Sequence, residues 1–78
     1  MGHFSNISTS LYREILSYLG LVYVRTKGGH EMWFKQGMLR NAVFQTHIEP
    51  VPEPIILNNN KSIGITNKQF SEALTAVR

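Results

Sequence analysis

LVYVRTKGGHEMWFKQ, residues 21 to 36, decides how this chain folds. Its first six residues are mostly β-branched or aromatic, with Val22 and Val24 on one face, which is the composition of a strand. Gly28-Gly29 then breaks the run and turns the chain. HEMWFKQ (30–36) reads as a second strand, so the stretch is a hairpin with two glycines at its tip.

The reading extends outward in both directions. Downstream, Gly37-Met38-Leu39-Arg40 offers a second reversal into NAVFQTH (41–47), a third strand. Upstream, Ser8 is placed to cap a helix that runs to about Leu19. Leu11, Ile15 and Leu19 recur at i, i+4 and i+8, and Tyr12 and Leu16 widen the apolar stripe. Gly20 stands where a left-handed C-terminal cap is wanted. One helix followed by three short strands predicts an antiparallel meander backed by a helix, an α+β fold.

The last third is marked by Pro50, Pro52 and Pro54, which rule out a central strand and make a connector. Pro54 suits the first turn of a helix. IILNNNKSIGI (55–65) admits two readings, a hairpin turning at Asn58-Asn59-Asn60 or a short helix ended by Gly64. Thr66 with Gln69 three residues later is a capping box. Phe70, Leu74 and Val77 then form one stripe, so the chain ends in a helix. Residues 1–7 read as a flexible arm, and 8–78 as one domain.

Composition narrows the function classes. Seventy-eight residues make a single small domain, and a chain of this size buries only ~60–65% of its unfolded surface. There is no cysteine, hence no disulfide or thiolate metal site. No run approaches the ~18 apolar residues of a spanning helix. The start, MGHFSN, has neither the apolar run of a signal peptide nor, with Asn6, the myristoylation pattern. The expectation is a cytoplasmic protein with no membrane partner. Net charge is +3, from eight Lys and Arg against five Glu. Half of the positive charge, Arg25, Lys27, Lys35 and Arg40, falls within sixteen residues that hold one acid, Glu31.

His30 follows the two glycines inside that basic stretch. If residues 37–40 join the second and third strands, opposed residues have numbers summing to 77, and His30 faces His47. Cross-strand neighbours have β-carbons about 4.5–5.5 Å apart and share a face. Two imidazoles near cations suit cleavage of a phosphodiester by its own 2′-hydroxyl. Free histidine titrates near ~6.5, so one ring can take a proton while another gives one. Arg25, Lys27, Lys35 and Arg40 are candidate phosphate contacts. Gly28 and Gly29 would let an RNA backbone approach closely, and Trp33 is a candidate base-stacking residue. Three scattered histidines without Asp lack metal-ligand spacing, so neither metal nor cofactor is expected. Each feature also has a plain structural reading. His30 serves as a surface or satisfied core group, Gly28-Gly29 as a tight turn, Trp33 and Phe34 as a pair split between core and surface, and His47 as a loop cap.

In combination these pieces resemble the HicA-type (YcfA-like) toxins, the mRNA interferases of bacterial HicA/HicB toxin–antitoxin systems. The resemblance rests on Leu19-Gly20, on Arg25-Thr26-Lys27-Gly28-Gly29-His30 with Trp33, on Gln45-Thr46-His47, and on Gly64-Ile65-Thr66 before Phe70. It spans roughly residues 8–77. It implies a fold like double-stranded RNA-binding domains, with a three-stranded sheet backed by helices, and tips residues 55–64 towards helix. It further implies that His30 matches the family's catalytic histidine, that mRNA is the substrate and that a HicB-type antitoxin masks the site. Gly29 departs from the serine more frequent at that position, and the 48–54 connector is richer in proline. Two other readings stand beside endoribonuclease: a non-catalytic RNA-binding module of the same fold, and a protein-interaction domain.

Overall fold

The computed structural model describes residues 4–78. The chain runs α1 (Thr9–Tyr18), β1 (Val22–Lys27), β2 (His30–Phe34), β3 (Ala42–Gln45), α2 (Glu53–Ile63) and α3 (Asn67–Val77). The strands form one antiparallel sheet in the order β1-β2-β3. The fold is therefore α+β, with two C-terminal helices, and residues 55–63 take the helical alternative.

Local chemistry sets the element ends. The Ser8 hydroxyl accepts from the Leu11 amide at 3.0 Å and opens α1. Gly64, at φ +87°, ends α2 in the left-handed conformation that costs a glycine least. Thr66 and Gln69 close the capping box at the start of α3 with bonds of 3.1 and 2.8 Å. No helix among the described residues is long and apolar enough to cross a membrane.

The core is an aromatic stack that ties three elements and the N-terminal lead-in together. Tyr12 on α1 meets Phe44 of β3 edge-on at 5.1 Å and Phe70 of α3 at 6.3 Å. Phe4 packs edge-on against Phe70 at 4.7 Å. Phe4 and Ile7 are both buried, and the Ile7 carbonyl accepts from the Val51 amide. This corrects the flexible arm expected over residues 1–7: in a core this small, two more apolar side chains are recruited from residues 4–7. Residues 1–3 of that arm lie outside the described residues.

The two long edges of the sheet are finished differently. At the outer edge of β3, Asn59 of α2 takes the place of a fourth strand. The Val43 amide donates to Asn59 Oδ1 at 3.2 Å, and Asn59 Nδ2 donates to the Val43 carbonyl at 3.0 Å. The same amide reaches the Tyr12 hydroxyl at 3.0 Å. That is why the Asn58-Asn59-Asn60 run, so like a turn in sequence, lies inside a helix. β1 has no such cover: all six of its residues are exposed.

The register between β2 and β3 also differs from expectation. His30 pairs with Gln45, Glu31 with Phe44, Met32 with Val43 and Trp33 with Ala42. Opposed numbers sum to 75, not 77. The cause is Met38, which folds inward to 8% exposure, its amide donating to the Lys35 carbonyl and its sulfur accepting from the Lys35 amide. A buried methionine in the connector pulls residues 35–41 out of the ladder, so the reversal is longer than four residues.

Candidate active site

The β1–β2 turn consists of Gly28 at φ +58° and Gly29 at φ +79°. Positive φ at both central residues is what a tight hairpin turn requires, and glycine supplies it without strain. The ladder continues beyond it, because the Thr46 amide donates to the Gly29 carbonyl at 2.9 Å. His30 is thus the first residue of a strand whose backbone is held on both sides.

Alternation then sorts the side chains. Glu31 and Trp33 of β2 and Ala42 and Phe44 of β3 are buried towards the helices. The opposite, open face carries Lys27, His30 and Gln45 in one cross-strand row and Arg25, Met32 and Val43 in the next. A bulge between Tyr23 and Arg25 adds one residue to β1. It leaves Tyr23 and Thr26 on the same side, joined by a 2.9 Å hydroxyl contact, and so aims Arg25 and Lys27 to the other. His30, Lys27 and Arg25 are all exposed.

The acid of this region is taken out of play. Glu31 is 5% exposed and receives the Arg13 guanidinium on both oxygens at 3.0–3.2 Å. The Trp33 indole N–H donates to the same carboxylate at 2.7 Å. Burial pushes the Glu31 carboxyl up, but the hydrogen bonds from Arg13 and Trp33 and the Arg13 charge outweigh it and hold the group below the usual carboxylate range. Arg13, stacked 5.8 Å above the Phe44 ring, is raised in return. The single acid among residues 25–40 is therefore neutralised on the helix side, and the open face keeps its positive sign.

Beside His30 a groove of ≈ 300 Å³ opens between β3 and the exposed side of α2. His30, Gln45, Arg40 and Asn41 form one wall, and Ile55 and Asn58 of α2 the other. Of the residues proposed from sequence, the structure brings Lys27 and His30 together in one row, with Arg25 in the next and Arg40 along the groove. Gly28 and Gly29 form the adjoining turn.

Three placements differ from the sequence reading. Trp33 is 9% exposed, faces the helices and has its N–H occupied, so it offers no surface for a base. Lys35 turns to the end of α1, where its ammonium donates to the Leu19 carbonyl at 2.9 Å. A cation at a helix C-terminus satisfies a free carbonyl and the helix dipole. His47 does not oppose His30, because the register is shifted by two. Its ring lies over Gly29, 3.3 Å from where a β-carbon would stand. The ring thus fills the space that a side chain at position 29 would need.

Sequence reasoning missed Gln45, Asn58 and Arg13. Gln45 needed the correct register, Asn58 needed residues 55–63 fixed as helix, and Arg13 carries no local signal of its partner eighteen residues on. Among the described residues, no three His, Asp or Glu side chains cluster in a way that could hold a metal ion. Comparison with protein-family models, curated proteins and solved structures finds no match to this chain.

Proposed function

We propose that this chain is an endoribonuclease of the HicA type, an mRNA interferase that cuts RNA without a metal, with His30 as general acid or base. The observation that carries the proposal is the placement of His30: exposed on the open face, directly across from Lys27, at the mouth of a groove with no acidic lining among the described residues.

In this reading the substrate 2′-oxygen attacks the adjacent phosphorus. The 2′-O–P bond forms as the P–O5′ bond breaks, and the ends are a 2′,3′-cyclic phosphate and a 5′-hydroxyl. One proton leaves the 2′-hydroxyl and another is delivered to the departing 5′-oxygen. His30 handles one of these transfers. Lys27 and Arg25 offset the charge that builds on the phosphoryl oxygens. His47, poised over the turn, is the candidate for the other transfer. A HicB-type antitoxin is the proposed partner. Tyr18, Val22, Tyr23 and Val24, exposed towards the start of β1, at the other end of the strand from Lys27, give it apolar surface to hold.

The test is incubation of RNA with native and His30→Ala protein in excess chelator. Native protein cuts, and the variant is slower by about 10²–10⁴-fold, the usual worth of a positioned acid or base. Deoxyribose at the cut site abolishes the product. Full cleavage by His30→Ala overturns the assignment.

A second reading draws on the β2–β3 register. Among the described residues only one histidine stands in the groove, which suits an RNA-binding module without catalysis. That module retains RNA, yields no products and binds equally well with alanine at position 30. Expression in cells separates the two, since only the nuclease arrests growth in a His30-dependent way.

A further inference from the structure

The groove beside His30 does not end at Arg40. A second concavity of ≈ 480 Å³ adjoins it, and Arg40, Asn58 and Ser62 line both. The far part is bounded by Lys61 of α2 and its C-terminal cap Gly64 on one side and by Leu39 of the β2–β3 connector on the other. From Ile55 to Gly64 the helix wall is about 13 Å long at 1.5 Å per residue, room for roughly two to four nucleotides.

Resting on the nuclease reading, we infer that this extended channel is a subsite for single-stranded RNA flanking the reacting phosphate. Its chemistry is that of a strand-binding channel. Arg40 and Lys61 supply positive charge, and the lining among the described residues contains no acid to oppose it. Asn58 and Ser62 stand four residues apart on α2, hence on one helix face, and present an amide and a hydroxyl to sugars or base edges. Leu39 is 100% exposed. A fully exposed leucine contributes nothing to this core, whereas on the wall of a channel it gives a base an apolar surface. Such contacts tolerate many sequences, because every base has an apolar face. A duplex, whose bases are stacked inside, gains little from Leu39. Single-stranded RNA is therefore the substrate form the channel fits.

The test measures binding of uncleavable 2′-O-methyl oligonucleotides of three and ten nucleotides by fluorescence anisotropy, alongside cleavage of ordinary RNA. With native protein the longer strand binds more tightly. Lys61→Glu, at an exposed helix position, loses about tenfold in affinity for the longer strand, and its salt dependence falls by about one unit of slope. Lys61→Gln shows the same trend with a smaller loss. Lys68→Glu, the same charge change on α3, binds like native protein. Cleavage by native protein with a length dependence indifferent to Lys61 overturns the channel and leaves the nuclease standing. Lys61-dependent strand binding without cleavage sustains the channel and overturns the nuclease. Absence of both removes the two together.

Discussion

The two edges of the sheet are built from similar lengths of chain and do opposite things. β3 is closed by a side chain from a helix forty-odd residues from the first strand's neighbour α1: Asn59 answers both backbone groups of Val43 and the Tyr12 hydroxyl together. β1 is bare, bulged and basic at its end. An open strand edge invites pairing with other chains, and a bulge with Lys or Arg blunts that tendency. The closed edge is thus where stability is concentrated, and it fixes α2 against β3 so that the groove exists. The open edge is where residues are spared for contacts outside the molecule.

The sharpest way to break this contrast is Asn59→Ala. It strands a backbone N–H and a carbonyl at the β3 edge, and unmade bonds of this kind cost about 1–3 kcal/mol each. We expect a loss of about 3 kcal/mol in urea unfolding, a large share of the stability of so small a domain. Hydrogen exchange at the Val43 amide should accelerate in step. An unchanged midpoint would mean that the edge is not held by this amide.

The same corner has a signature at high pH. Burial pushes the Tyr12 hydroxyl up to about 12, against a smaller opposite pull from the Asn59 hydrogen bond. An unfolded tyrosine ionises near ~10. The stabilisation is complete below that value and is lost as pH rises from about 10 through 12, amounting to about 3 kcal/mol. Tyr12→Phe should remove this alkaline limb. At the other end of the scale, Glu31 is held low by Arg13 and Trp33. Its contribution is present above the unfolded value of about 4.3 and is lost as pH falls through the lower folded value. Glu31→Gln should flatten that acid limb, which a pH series of thermal melts would display.

Sequence periodicity was enough for both α1 and α3 and for the existence of all three strands, because Leu11, Ile15, Phe70 and their neighbours repeat at the period of the structure they form. It was not enough for register. Nothing local announces that Met38 folds inward, and its burial moved His47 two residues away from His30. Nor does a run of three asparagines announce a strand edge sixteen residues earlier in the chain, since the partner of Asn59 is chosen by tertiary packing. His30, Lys27, Arg25 and Arg40 were readable as a cluster because a hairpin brings near neighbours together. Lys61 and Asn58 were not, because they join the groove only once α2 lies along β3. Trp33 and Lys35 look like RNA contacts in a linear list and are recruited inward by Glu31 and by the end of α1.

Asn60 offers a smaller and opposite effect. It is 2% exposed, and neither atom of its side-chain amide has a hydrogen-bond partner among the described residues. A buried amide without partners costs about 1–3 kcal/mol by mutational measures, so Asn60→Leu, which keeps the branching and the number of heavy atoms, should raise stability by about 1 kcal/mol. Asn59 and Asn60 are adjacent, equally buried and identical in chemistry, yet the first should be indispensable and the second improvable.

The smallest effect belongs to the open edge. Val22 and Val24 are 63% and 46% exposed, so about half or more of the surface of each is already in water when the chain is folded. Val22→Thr and Val24→Thr keep the branched shape that suits a strand and alter little buried area, and surface changes of this kind stay within about 0.5 kcal/mol. If β1 is instead held by these side chains, either change will lower the urea midpoint as Asn59→Ala does, and the division of labour between the edges fails. A neutral outcome in the isolated chain carries more weight when paired with a partner. A protein that covers β1 should lose affinity for the doubly substituted chain while the folding curve stays where it was, since the apolar surface it needs is surface that folding does not use.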